Sequence, residues 1–311
     1  MTGKRRHTES VAGVLNIGKP AGWTSHDVVA RLRRITGVRR VGHAGTLDPM
    51  ATGVLVVCVG RATRVVEYLA EETKDYRATI RFGQITDTWD AEGQVVAERD
   101  ASGLTRDAVE GALESFRGTI QQVPPMYSAL KRAGRPLYRL AREGITVERP
   151  PRQVTIHHLH LAEWHPAEQD GTPVAVLEVR CSKGTYIRSL AHDLGQALGP
   201  GGHLTGLVRT AVGSLTVRDA VSLDRLAEGD WREHLLPLKQ ALAHMPDVTL
   251  NDDQVRRVVC GQALDIAELD AVADKPQGAE ICAYDGVDRL IAVLRRDRNY
   301  WRPHKVLADS I

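Results

Sequence analysis

The stretch GHAGTLDPMATG, residues 42–53, carries one carboxylate, Asp48, and one imidazole, His43, and no other ionisable side chain. Glycines flank it at both ends and supply permissive backbone. Pro49 removes a donor and keeps Asp48 away from helical geometry. A short loop of this kind can bring a carboxylate close to a substrate. Taken alone the stretch reads as an Asp-Pro turn; the chain around it changes that reading.

Downstream, GVLVVCVG (53–60) is a continuous apolar run of strand length, as expected of a strand buried on both faces. Upstream, VLNIGKPAGWTS (14–25) leads into a helix. Ser25 is its predicted N-cap, Val28, Val29, Leu32 and Ile35 recur at helical spacing, and Gly37 ends it. Arg61–Ala70 reads as a second helix with Val65, Val66 and Leu69 inward. In DYRATIRFG, Tyr76, Ala78, Ile80 and Phe82 alternate with polar residues, the pattern of a half-buried strand. Thr105–Phe116 reads as a helix with Val109, Ala112, Leu113 and Phe116 on one face. VAVLEVRCSKG is a further strand, and Tyr186–Leu198 a helix whose core face is Ile187, Leu190, Ala191 and Leu194.

Between these elements, residues 123–152 change character. They are rich in Pro, Arg and Tyr, with a short helix opened by Pro136 and closed by Gly144. Their apolar content is too low for a core element, and they are read as an arm projecting from the domain. From about Pro246 the composition shifts again. ICAYDGVDRLIAVLRRD (281–297) reads as two strands joined by a glycine-containing turn. The expected organisation is a basic disordered tail over 1–10, a main domain over 11–245 and a small β-rich module over 246–311. The fold class is α+β, with a mixed, mostly antiparallel sheet flanked by helices.

The chain has 311 residues, 42% of them hydrophobic and 26% charged, the proportions of an ordinary globular protein. No apolar run is long enough to span a bilayer, and no apolar signal region follows the basic start. Cys58, Cys181, Cys260 and Cys282 are widely separated with no CxxC pair, which fits a reducing cytoplasm and argues against a zinc ribbon. The net charge of +2 is unevenly distributed. Residues 31–40 hold five arginines and no acid, residues 131–152 carry +5, and near the C-terminus Arg295, Arg296, Arg298, Arg302 and Lys305 face only Asp297. Three basic islands in a nearly neutral chain point to a polyanionic partner.

Beside Asp48, three residues stand out. Tyr76 begins a strand after Lys74 and Asp75, and Tyr186 and Arg188 lie in CSKGTYIRS at a strand-to-helix step. An arginine at a helix start opposes the helix dipole unless an anion compensates it. A loop carboxylate such as Asp48 would serve.

KPAGWTSHDVV, GHAGTLDPMATGVL, KDYRATIRFG, PPMYSALKRAGRPLYRLAREG and CSKGTYIRSLAHDLG follow one another in the chain. In that order they resemble the bacterial tRNA pseudouridine-55 synthases, over about residues 11–215. The C-terminal module resembles the small RNA-binding PUA-type domain of that family in position and strand pattern. One departure is Gly18 before Lys19, where the family often carries a polar or acidic residue. The resemblance implies isomerisation of uridine 55 in the TΨC arm of tRNA by base flipping. This chemistry involves neither redox change nor net hydrolysis, so it needs no cofactor and no metal. By the resemblance Asp48 is the catalytic carboxylate, attacking C1′ or assisting departure of uracil toward a glycal-like intermediate. Arg188 pairs with it. Tyr76 stacks on the flipped base, and His43 enters the space the base vacates. Tyr186 and Leu207 line the uracil pocket. Lys19, with Pro20, belongs to the first family motif, where a structural role outweighs a chemical one. The arm closes over the TΨC loop with Arg132, Arg139 and Arg142 on phosphates. A cytoplasmic monomer acting on tRNA, without membrane contact, is expected.

Other readings fit less well. His157, His158 and His160 invite a metal, but His158 and His160 only share one strand face and no matched Cys/His pair lies near. Ser25, His26 and Asp27 are adjacent in sequence and cannot form a relay among themselves, and no GxSxG or GxxxxGK[ST] motif occurs. An RNA-binding or RNA-folding module without catalysis would explain the basic islands. It gives no reason to keep Asp48, Tyr76 and Arg188 together.

Overall fold

The computed structural model describes residues 11–132, 134–167 and 172–308; the expected basic tail over 1–10 lies outside them. Strand β1 (Ala12–Lys19) turns into helix α1 (Ser25–Thr36). Thr24, not Ser25, is the N-cap: its side chain accepts from the Asp27 amide, and the Asp27 carboxylate accepts from the Thr24 amide. The capping box needs an acid three residues after the cap, and TSHD offers it only to Thr24. Gly37 ends the helix in the left-handed conformation, φ +66.

Strands β2 (Val41–His43) and β3 (Thr52–Gly60) pair antiparallel and carry the Asp48 loop between them. Arg61–Val65 forms a 3-10 turn before helix α2 (Val66–Glu71), so the single helix expected over 61–70 is divided. No side chain caps its start, and Thr63, Val65 and Val66 are β-branched and stiff. Strand β4 (Lys74–Phe82) alternates buried and half-buried residues as expected. A hairpin of β5 (Gln84–Thr86) and β6 (Val95–Glu98) follows, then helix α3 (Arg106–Leu113), capped by Thr105.

Strand β7 (Gly118–Gln122) leads to the arm, which holds a small hairpin of β8 (Lys131–Arg132) and β9 (Arg135–Pro136) and helix α4 (Leu137–Arg142). Although the segment's apolar content is low, Leu137 and Leu140 of that helix are buried. Strands β10 (Arg152–His165) and β11 (Val174–Cys181) return to the domain. Helix α5 (Ile187–Leu198), strand β12 (Gly202–Val212), strand β13 (Leu215–Thr216) and helices α6 (Leu223–Glu228) and α7 (Leu238–Ala241) complete it.

The main sheet runs β1-β3-β12-β4-β11-β10-β7, with β2 beside β3 and β13 beside β12. Within this sheet, among the described residues, only β12 and β3 pair in parallel. The inward residues Tyr76, Ala78, Ile80 and Phe82 pack with Leu177, Val179, Leu204 and Leu207 against Leu190, Ala191 and Leu194 of α5. Leu47 and Ala51 of the Asp48 loop join the same core, so the loop is seated on the sheet's packed face.

The rest of the chain builds a second sheet, consistent with the expected PUA-like module. It comprises β14 (Asp247–Thr249), helix α8 (Asp252–Val259), β15 (Leu264–Asp265), β16 (Glu280–Tyr284), β17 (Leu290–Asp297) and β18 (Tyr300–Val306). The strand order is β14-β16-β17-β18-β15. One face encloses Leu250, Val258, Ile281, Leu294 and Trp301. The other offers Cys282, Tyr284, Val293 and Leu307 to Val54, Val56, Leu238 and Leu242 of the main domain. Lys305 pairs with Glu67, and Arg64 donates to the Val306 carbonyl across the same seam.

Candidate active site

The loop between β2 and β3 is pinned from three directions. From β12, Arg209 is 1% exposed and donates Nε to the Val54 carbonyl (2.7 Å), Nη1 to Thr46 (3.4 Å) and Nη2 to Gly45 (3.2 Å). Gly53 has φ +96, and a Cβ there would sit 2.2 Å from the Arg209 carbonyl oxygen, so only glycine fits. From β1, Lys19 is 1% exposed and donates Nζ to the carbonyls of Pro20 (2.9 Å), Trp23 (2.5 Å) and Pro49 (3.1 Å). From α1, Ser25 Oγ accepts from the Leu47 amide at 2.9 Å. These contacts fix the residues on both sides of Asp48 and leave its carboxylate facing outward, with 31% of the side chain exposed.

Helix α5 brings the partner. Gln122 holds Tyr186, its N-cap, by two hydrogen bonds: Nε2 donates to the Tyr186 carbonyl (3.0 Å) and Oε1 accepts from the Tyr186 amide (2.8 Å). Arg188 follows, buried, with its guanidinium spread over four acceptors. Nη2 donates to Asp48 Oδ1 (2.9 Å) and the Tyr127 carbonyl (2.8 Å). Nη1 donates to the Thr88 carbonyl (3.3 Å) and lies 3.2 Å from Asp90 Oδ2. The expected anion is present, and there are two. Asp90 is 3% exposed, and its Oδ1 accepts from Thr88 Oγ1 (2.5 Å) and the Glu92 amide (3.1 Å).

Burial pushes the Asp48 carboxyl above the usual aspartate range, and the Asp90 charge adds to the push; Arg188 and Lys19 pull it back down. Burial likewise lowers Lys19 to about 8, against the pull of Asp48. Tyr76 is buried in β4, between Val179 of β11 and Arg209 of β12, and burial raises its hydroxyl. Leu207 shares its core. Burial raises the Tyr186 hydroxyl as well. His43 ends β2 edge-on to His26, with centroids 5.5 Å apart, and burial lowers its imidazole.

The sequence and its family resemblance single out Asp48, Arg188, Tyr76, Leu207, Tyr186 and His43, which the fold carries on the β2–β3 loop, the α5 start and adjacent strands. Lys19, a substrate-binding candidate whose motif already favours a structural role, has its Nζ committed to backbone carbonyls inside the protein, which fits that role. Arg132, Arg139 and Arg142 are exposed on the arm; Arg132 donates to the Glu148 carbonyl (2.9 Å) and Arg142 lies 5.7 Å over the Tyr138 ring. Sequence reasoning does not find Asp90 or Arg209. Their only signals are the acid-rich turn DTWDAEG and a lone arginine inside the apolar strand GHLTGLVRTAVG. The basic islands also differ. Among the described residues none of Arg31, Arg33, Arg34, Arg39 and Arg40 forms an ion pair, whereas Arg295, Arg302 and Lys305 are paired with Glu280, Asp297 and Glu67.

Known proteins resemble this chain over most of its length. The TruB family pseudouridylate synthase N-terminal domain matches residues 33–187, and the tRNA pseudouridylate synthase B C-terminal domain matches residues 188–245. The second segment supplies β12, which lies between β3 and β4, so the two segments share one sheet. tRNA pseudouridine synthase B of Symbiobacterium thermophilum is 55% identical over 253 residues, 81% of this chain and 83% of that protein. Its counterpart from Burkholderia pseudomallei is 46% identical over 301 residues, 96% of this chain and 97% of that protein. In the crystal structure of a Cbf5–Nop10–Gar1 complex, one chain superposes with a TM-score of 0.75 at 26% identity, covering 98% of this chain and 87% of that one. These matches, over most of the chain, define a pseudouridine synthase. The chain belongs to the TruB family within that class.

Proposed function

We propose that this chain isomerises uridine to pseudouridine in tRNA, at position 55 of the TΨC arm, and that Asp48 is its catalytic carboxylate. The N1–C1′ bond breaks, the detached uracil turns, and C5 joins C1′; the proton lost from C5 is balanced by the one gained at N1. Asp48 attacks C1′ or assists uracil's departure, and either route needs it ionised. The observation that carries the reading is the Arg188 guanidinium, buried and aimed at Asp48 Oδ1 from 2.9 Å. It pulls the carboxyl back down against the burial that raises it.

The target base must leave its stack, at a cost of a few kcal/mol. Tyr76 stacks on the flipped base, Tyr186 and Leu207 line its pocket, and His43 fills the space it leaves. Arg132, Arg139 and Arg142 meet phosphates along the arm, and the arginines of 31–40, none in an ion pair among the described residues, offer further phosphate contacts. The C-terminal basic residues, largely neutralised by internal partners, contribute less. The domain limits follow the same reading: catalytic domain over 11–245, PUA-like module over 246–311, a cytoplasmic monomer. To test the function, a tRNA transcript is incubated with the protein and its pseudouridines are mapped. Product at position 55, lost when that uridine is replaced by cytidine, is expected; product elsewhere or none overturns the assignment.

A further inference from the structure

Trp89 stands in the left-handed region, φ +63, where a bulky residue is an outlier. Such backbone persists only when its surroundings over-determine it, and here they do. The indole stacks on His192 of α5, with centroids 4.3 Å apart and planes at 11°. Arg149 Cζ lies 5.6 Å from the indole centroid on the arm's side. Arg149 Nη1 also donates to the Pro124 carbonyl (3.1 Å), so the two ends of the arm meet beside this ring. His192 sits one helical turn beyond Arg188. The Trp89 backbone is held too: its amide donates to Thr86 (3.2 Å), and its carbonyl accepts from Leu204 (3.1 Å). Its two neighbours, Thr88 and Asp90, supply the acceptors for Arg188 Nη1. One side chain therefore touches the arm and the helix that carries Arg188, while its backbone belongs to the segment that aims Arg188.

We propose that Trp89 is a positioning residue: its ring clips the root of the arm to α5, and this clip fixes the Thr88–Asp90 segment that aims the Arg188 guanidinium at Asp48. The inference rests on the function proposed above, in that Arg188 must matter to turnover. It adds a link between how the arm is seated and how the carboxylate is held. Glycine separates the ring from the backbone, because it accepts φ +63 without strain and deletes the clip. Phenylalanine keeps a stacking face.

The test compares wild type with Trp89→Gly, Trp89→Phe and Arg149→Met on full-length tRNA, measuring kcat, KM, the acid limb of the kcat–pH profile and thermal unfolding. Trp89→Phe is expected to stay within about threefold of wild type. Trp89→Gly is expected to stay folded, since relief of the left-handed backbone counters part of the lost ring contact, yet to lose roughly tenfold in kcat, short of the ~10²-fold that a 1 Å misplacement can cost. Its acid limb moves to higher pH. The groups facing Asp48 are Arg188, Asp90, Glu92, Lys19 and the hydroxyls of Tyr76 and Tyr186; losing the clip loosens Arg188 and Asp90 together, and Arg188, the stronger influence on Asp48, sets the direction. Arg149→Met changes both readouts in the same direction by less. A Trp89→Gly protein with wild-type kcat and acid limb, or a loss confined to KM, overturns the proposal. Should that variant fail to fold, an Arg149→Met protein with wild-type kcat and acid limb does so instead. A wild type that makes no pseudouridine refutes the function itself, whereas an active wild type with unaffected variants refutes only the clip.

Discussion

Arg188→Lys keeps the positive charge and changes the geometry. The guanidinium presents two nitrogens to four acceptors: Asp48 Oδ1 and the Tyr127 carbonyl on one side, the Thr88 carbonyl and Asp90 Oδ2 on the other. An ammonium is a single point on a shorter reach and cannot serve both carboxylates. If it stays with buried Asp90, Asp48 loses its charge-assisted hydrogen bond, a loss of roughly 1.5–3 kcal/mol. Expressed in the transition state, that is about 10- to 150-fold in kcat. The pH dependence moves with it. Burial already raises the Asp48 carboxyl and Arg188 is the main restraint, so weakening the restraint raises it further. A larger fraction of Asp48 is then protonated at any given pH, and the acid limb of the rate profile shifts upward. Initial rates are measured as tritium released from tRNA labelled at uridine C5, because isomerisation frees that hydrogen. An Arg188→Lys rate within about twofold of wild type, with an unmoved acid limb, would refute the role given to the guanidinium.

Asp48→Asn should stabilise the fold. A carboxyl raised in the folded state binds its proton more tightly there than in the unfolded chain, so wild-type stability falls as pH rises from the ordinary aspartate range through the folded value. The variant lacks that penalty, and urea unfolding at neutral pH should show a gain that shrinks as the pH is lowered; a loss at neutral pH contradicts the argument. Lys19→Met removes three hydrogen bonds to the loop and its neighbours. It should lower kcat about tenfold while tRNA affinity stays within about twofold, and a change in affinity alone would return Lys19 to the substrate contacts. Arg132→Ala with Arg139→Ala should weaken tRNA binding and flatten its salt dependence by about one unit of slope for each phosphate no longer neutralised. Arg295→Ala with Arg302→Ala, already paired with acids, should leave the slope unchanged.

Much of this architecture is legible in the chain. The alternation in β4, the doubly buried β3 and the helix of Arg188 follow from apolar spacing alone, because each buries a face at its own period. Arg188 can be suspected from its place at a helix start, where only an anion makes it comfortable. Asp90 and Arg209 are not legible, since each acts through partners far along the chain: Arg188 lies 98 residues beyond Asp90, and the carbonyls that Arg209 holds lie about 155–164 residues before it. Spacing cannot show that a lone strand arginine will bind the backbone of a distant loop. The structural role that the resemblance gives Lys19 has no signal in spacing either, since its three carbonyl partners appear only once the chain is folded. The Ser25 cap fails by one residue because Asp27 selects Thr24.

The central claim is that the Asp48 carboxylate carries the chemistry on the ribosyl carbon. Single-turnover reaction of a tRNA transcript with excess Asp48→Asn protein tests it most directly, since saturating protein removes any difference in affinity. The amide keeps the size of the side chain, and Arg209 and Lys19 still seat the loop, so binding should persist and no pseudouridine should form. Product formed at a rate near that of wild type would contradict the claim.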